Sequence, residues 1–64
     1  MTIQEMLKKL TQLGFSQNGI AERVGTTQPT IYRATQGANI RYETGKAIER
    51  MYLQEIDASS QSAA

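Results

Sequence analysis

The sequence contains no cysteine and no histidine among its 64 residues. The lack of cysteine excludes a disulfide framework and a thiolate zinc site, and the lack of histidine removes the commonest general base and metal ligand. No paired nucleophile and base, no metal-ligand cluster and no phosphate-binding loop motif is evident at a useful spacing. We therefore expect no enzyme, no metal or cofactor, and no small-molecule substrate.

Long apolar runs are also missing. No stretch approaches the roughly 18 consecutive apolar residues of a membrane span, and the N-terminal MTIQEMLKKL lacks the continuous apolar segment of a signal peptide. We therefore expect a cytoplasmic protein that does not bind membranes. A chain of this length supports one small core and one domain. The net charge is only +1, so an argument for nucleic-acid binding depends on where the charges lie.

Residues 1–13 have the pattern of an amphipathic helix. Thr2 is the expected N-cap, with Glu5 three residues later in a capping box, and Gly14 is expected to end the helix. Lys8 and Lys9 lie off the apolar stripe, where a solvated helix face is favoured over a role in binding phosphate. The apolar residues that recur at helical spacing are Ile3, Met6, Leu7, Leu10 and Leu13.

Residues 16–37, SQNGIAERVGTTQPTIYRATQG, predict two short helices joined by a tight turn. Ser16 is the expected N-cap of the first, over about residues 17–24. Ala21 suits a close helix crossing, because little more than a methyl group fits there. Gly25 can adopt the left-handed conformation that ends a helix without steric cost, and Ile31 is the expected core anchor.

The second of these short helices is expected to begin between Thr27 and Pro29. Ile31 and Ala34 are on its inward side. The outward side has no carboxylate, which suits a helix that enters the major groove of DNA, where phosphates lie on both flanks. At about 100° per residue, the outward residues are Pro29, Tyr32, Arg33 and Gln36, with Gln28 at the edge.

The residue types on this face fit base recognition. Gln28 can make paired hydrogen bonds to adenine, Arg33 can make them to guanine, and Gln36 can contact a base or a phosphate. Tyr32 offers a hydroxyl and an apolar ring. For each of these residues alone, an ordinary solvated side chain is the simpler interpretation. Their occurrence together on one face of the second helix of a helix-turn-helix favours a role in binding DNA. Thr30, to the side, is a weaker candidate for a phosphate contact.

The C-terminal part predicts a fourth helix over residues 41 to about 55, with an apolar stripe that closes the core over the first and third helices. Tyr52, Leu53 and Ile56 form a small extra apolar patch. This patch either packs on the first helix of the same chain or forms a two-fold dimer contact. Residues 57–64, DASSQSAA, are expected to form a disordered tail that follows a domain of residues 1–56.

The stretch SQNGIAERVGTTQPTIYRATQG resembles the helix-turn-helix of the Cro/CI-type (XRE-like) regulators of phages and bacteria. Their pattern runs approximately SQ-x-x-(I/L)A-x-x-(V/A)G-(V/I)-S-Q-x-x-(I/V)-S-x-W-x-x-G, and the match covers about a third of the chain. Two residues depart from it. Thr26 stands where an aliphatic residue is usual, and Ala34 where a large residue is usual. The resemblance implies an all-α fold, a small lambda-repressor-like bundle of four to five helices with a central helix-turn-helix.

The resemblance also implies roles for individual residues. Gln17 matches a position that contacts phosphate at the start of the second helix. The positions from which such proteins touch bases and nearby backbone correspond to Thr27, Gln28, Tyr32, Arg33 and Gln36. The chain that leaves the recognition helix often grips the DNA backbone in this family, and the residues there are Arg41, Tyr42 and Lys46.

Taken together, these features predict a DNA-binding transcriptional regulator of phage or prophage type that represses by occupying an operator. The expected partner is a double-stranded, palindromic operator, bound by a homodimer that forms at least on DNA. Two alternatives use the same fold. One is an antirepressor-like protein-interaction module, and the other is a recombination directionality factor, which would bend its DNA.

Overall fold

The computed structural model describes residues 2–62, with side chains up to residue 58. This part of the chain folds into four helices and contains no strand. The predicted small all-α bundle is therefore confirmed, with four helices. In chain order they are α1 (Ile3–Gln12), α2 (Gln17–Val24), α3 (Gln28–Thr35) and α4 (Tyr42–Ser62).

The ends of the first three helices follow local sequence rules. The Thr2 hydroxyl accepts the backbone N–H of Glu5 at 3.1 Å, and the Ser16 hydroxyl accepts that of Gly19 at 3.0 Å. Gly25 ends α2 in the left-handed region, with φ of 78°. At α3 the ambiguity in the start is resolved, because Thr27 occupies the cap position, without a side-chain cap bond, and the helix begins at Gln28.

The core is an apolar cluster to which all four helices contribute. Partly buried Ile3, Phe15, Val24, Ile40 and Tyr52 pack around it. Among residues whose side chains are described, no polar or charged residue is buried. The buried residues are Met6, Leu7, Leu10, Ile20, Ala21, Ile31, Ala34, Ile48 and Met51.

The packing of α4 differs from the prediction. α3 packs on α1 and α2, whereas α4 packs chiefly on α1 and α2 rather than on α1 and α3. An ion pair of 3.1 Å between Arg23 of α2 and Glu55 of α4 accompanies this arrangement. The predicted packing of α4 on α1 is therefore confirmed, its second main neighbour is α2 rather than α3, and the side of α3 away from the core is left without α4 across it.

Two further boundaries differ from expectation. Leu13 is 41% exposed, because α1 ends at Gln12 and the chain has turned away from the apolar stripe by that point. α4 continues to Ser62 rather than ending near residue 55. Residues 57–62 of the expected disordered tail are thus helical, and no glycine or proline follows Gly45 to interrupt the helix. Residues 63 and 64 lie outside the described residues.

In the described part of the chain, no helix combines the length and the apolar character that are needed to cross a membrane.

Candidate nucleic-acid interface

α3 presents two contrasting sides. Ile31 and Ala34 face the core at 0% and 2% exposure, so Ala34 is an inward residue despite its small size. On the other side Tyr32 is 52% exposed, and Arg33 and Gln36 are also exposed. The outward face predicted for this helix is therefore free of the core, and the arginine and glutamine that were expected to read DNA reach solvent.

Hydrogen bonds to neighbouring helices tie both ends of α3. At the start, the Gln28 side-chain amide donates to the side-chain oxygen of Gln17 in α2. At the end, the Gln4 side-chain amide of α1 donates to the backbone oxygen of Thr35 at 2.9 Å. These bonds resist rotation of α3 about the Ile31 anchor, so the outward face has a defined orientation.

The bond between Gln17 and Gln28 also joins two residues that the sequence assigned to different tasks. Gln17 was expected to contact a phosphate and Gln28 a base. A side-chain amide has two donor hydrogens and one acceptor oxygen. Gln28 therefore keeps one donor and its oxygen for an adenine after donating to Gln17, and the amide plane is held in place by that donation.

One flank of α3 forms an open groove with the segment that leads into α4. The groove has a volume of about 470 Å³. It brings together four of the predicted residues, with the Thr27 and Thr30 hydroxyls 3.0 Å apart and with Arg33 and Arg41 in its lining. Arg33 thus shares a groove with the predicted phosphate contact Arg41. The groove also contains Glu43, a carboxylate that sequence reasoning did not single out.

The opposite flank of α3 forms a smaller groove with α1, of about 270 Å³. Gln17 and Thr35 line it, and each takes part in one of the two bonds that tie the ends of α3. Gln4 and Lys8 of α1 line it too. Sequence reasoning missed Gln4, since its 31-residue separation from Thr35 has no local signal, and it favoured a solvated helix face for Lys8 over a role in binding phosphate.

Tyr42 and Lys46 do not line the groove that contains Arg33 and Arg41. They lie on the outer surface of α4, where Tyr42 is 77% exposed and the Lys46 ammonium lies 5.7 Å from the centre of its ring. The same ammonium is 3.8 Å from the carboxylate of Glu49. These two predicted phosphate contacts are therefore not part of the lining of the groove beside α3, whereas Arg41 is.

The three residues of the predicted dimer patch, Tyr52, Leu53 and Ile56, differ in how exposed they are. Tyr52 is partly buried and packs against the core of its own chain. Leu53 is 57% exposed and Ile56 is 36% exposed, so these two residues offer apolar surface to a partner. Intramolecular packing, the simpler of the two interpretations, thus applies to Tyr52 alone, and a dimer contact through Leu53 and Ile56 stays a prediction.

The described residues contain no group of three or more acidic side chains gathered closely enough to hold a metal ion. Every titratable side chain in this part of the chain lies at the surface or only partly below it. The chemistry that the arrangement offers is hydrogen bonding and charge attraction at an open surface.

Comparisons with known proteins give no match, whether to family models, to curated proteins or to solved structures.

Proposed function

We propose that this chain is a sequence-specific DNA-binding transcriptional regulator that inserts α3 into the major groove. The observation that supports this most strongly is the outward face of α3. This face has no carboxylate, it presents Arg33 and Gln36 to solvent, and it is anchored through Ile31 and tied at both ends. An exposed helix that is anchored in the core and carries hydrogen-bonding side chains has the properties that direct reading of base edges requires.

The dimensions and chemistry of the major groove agree with this proposal. The groove is about 12 Å wide, which matches the diameter of an α-helix with its side chains. Gln28 is suited to adenine and Arg33 to guanine, each through two hydrogen bonds. Arg41 beside Arg33 supplies a cation for the phosphate backbone at the edge of the groove.

The mode of regulation that we propose is repression by occupancy of an operator, as in a Cro-like phage or prophage repressor. A homodimer would bind a palindrome with half-sites about 34 Å apart, one helical turn of DNA. Exposed Leu53 and Ile56 are the candidates for the contact between copies.

Selection of bound sequences from a random duplex pool tests the proposal. We expect enrichment of a short palindromic motif, followed in a mobility-shift titration by tighter binding to the selected duplex than to a scrambled one. Binding should weaken steeply as salt is raised, because phosphate contacts release counterions. Failure to enrich any motif, together with salt-independent behaviour, would contradict the proposal.

A second candidate function is supported by the outer surface of α4. Tyr42 and Leu53 are strongly exposed there beside an ion pair between Lys46 and Glu49, a mixture that suits a protein partner. An antirepressor-like interaction module would use this surface and would tolerate changes at Gln28 and Arg33.

A recombination directionality factor, by contrast, would require those residues and would bend the selected duplex.

A further inference from the structure

α3 lies between two grooves that differ in charge. On one side are two guanidinium groups, Arg33 and Arg41, together with one carboxylate, Glu43. The groove on the other side has a single charged side chain in its lining, Lys8 of α1. We propose that Lys8 binds a DNA phosphate on this second flank, an inference that rests on the function proposed above.

The placement of Lys8 follows from the two bonds that hold α3. Gln4 and Lys8 are one helical turn apart on the same side of α1. Gln4 bonds to Thr35 at the end of α3, while Gln17, which lines the same groove, bonds to Gln28 at its start. The groove therefore lies between α1, the start of α2 and the end of α3, and Lys8 is the cation in its lining.

The Lys8 ammonium has no competing carboxylate. Lys8 belongs to neither the Arg23–Glu55 nor the Lys46–Glu49 ion pair, and no acidic residue of the described part of the chain lines its groove. Lys8 itself is exposed. A flexible stem with a point charge at its end is suited to a phosphate, which offers oxygens in several directions.

The geometry of DNA favours cations on both flanks of an inserted helix. A helix in the major groove lies between two phosphate backbones, one on each side. Arg33 and Arg41 line the groove on one side of α3, so a phosphate contact from Arg41 falls on the backbone of that side. Without Lys8 the second backbone would meet the neutral side chains of Gln4, Gln17 and Thr11, so Lys8 supplies the charge contact there.

Lys9 provides a matched control. It is the next residue, carries the same charge and is likewise exposed, but it lies about 100° further around α1 and does not line the groove. A general effect of net charge would be the same for the two lysines. A contact made through this groove would involve Lys8 alone.

The experiment compares Lys8→Gln, Lys9→Gln and Lys8→Arg with the parent chain. Binding to the selected duplex and to a scrambled duplex is measured by mobility shift over a series of salt concentrations. For Lys8→Gln we expect affinity for both duplexes to fall by roughly tenfold at low salt, and the slope of log affinity against log salt to fall by about one. Lys9→Gln and Lys8→Arg should match the parent chain.

The outcomes separate this inference from the function on which it rests. If the parent chain binds its selected duplex but Lys8→Gln and Lys9→Gln have equal effects, Lys8 makes no specific contact and the DNA-binding proposal stands. If the parent chain binds no duplex, both proposals fail. Circular dichroism of each variant confirms that the helical bundle is intact, which is expected because both lysines are exposed.

Discussion

The outer surfaces of α3 and α4 face away from the same core but have opposite chemical characters. On α3 the exposed side chains are polar or cationic, with Arg33 and Gln36 beside a half-exposed Tyr32 and no carboxylate on the face. On α4 the exposed surface combines apolar Leu53 with an ion pair of Lys46 and Glu49. Both surfaces are accessible, so accessibility alone does not distinguish their functions.

The difference indicates which partner each surface suits. DNA presents a uniformly negative backbone, so a surface without carboxylates meets it without repulsion between like charges. A protein partner offers charges of both signs and apolar area, which a mixed surface can match. The solvent-exposed ion pair on α4 contributes little to stability, at most about 1 kcal/mol, so the fold does not depend on it. The predictions below test this contrast between the two helices.

The largest effect is expected from removal of the anchor behind α3. Ile31→Ala deletes a fully buried side chain and should destabilise the fold by about 2–5 kcal/mol, measured by chemical denaturation. DNA binding should weaken with it, because α3 loses its fixed orientation. Tyr32→Ala, at the next residue but on the exposed side, should change stability far less, and equal losses for the two variants would contradict the assignment of the sides.

Next in size is the loss of a base contact. Arg33→Ala should cost about 1–3 kcal/mol of binding free energy for the selected duplex and should relax the preference at one base pair. Mobility-shift titrations against duplexes with single changes measure both effects. The matched control is Arg50→Ala, which removes the same charge from the outer surface of α4. Unchanged specificity in Arg33→Ala would remove this residue from base recognition.

Arg41→Ala should have an effect of a different kind. Because a phosphate contact does not depend on sequence, affinity for selected and scrambled duplexes should fall alike, and the salt slope should fall by about one. Since Arg33 and Arg41 line one groove, the comparison of their two variants separates reading of bases from attraction to the backbone. A change in sequence preference in Arg41→Ala would show that the two roles are shared.

The smallest effect is expected from Glu43. Its carboxylate lies in the groove with Arg33 and Arg41, so Glu43→Gln should tighten DNA binding a few-fold by removing repulsion from the phosphates. Glu49→Gln is the control, because it makes the same change on the outer surface of α4. Equal tightening in both variants would mean that net charge, and not position, is responsible.

The sequence was most informative where structure depends on neighbours in the chain. The capping bonds of Thr2 and Ser16, the left-handed Gly25 and the buried Ile31 all follow from short-range rules and were predicted. The limits of α2 agree with the prediction as well. Local steric and hydrogen-bonding preferences largely decide such features.

The features of the site that the sequence did not indicate depend on contacts between residues that are far apart in the chain. The bond from Gln4 to Thr35 and the position of Lys8 beside Gln17 arise only when α1 packs along α3. Tyr42 does not line the groove beside α3, although its sequence neighbours Arg41 and Glu43 do. The candidate site was thus predicted along α3 itself and less completely along its flanks.

The central claim is that DNA docks on the outward face of α3 and its two flanks. Nuclear magnetic resonance of the isotope-labelled chain, titrated with the selected duplex, tests this most directly because each backbone amide reports separately. We predict that the resonances of α3 and of the residues around Lys8 and Arg41 shift, while those of Lys46, Glu49 and Arg50 on the outer surface of α4 change little. Shifts confined to that surface of α4, with α3 unaffected, would contradict the account.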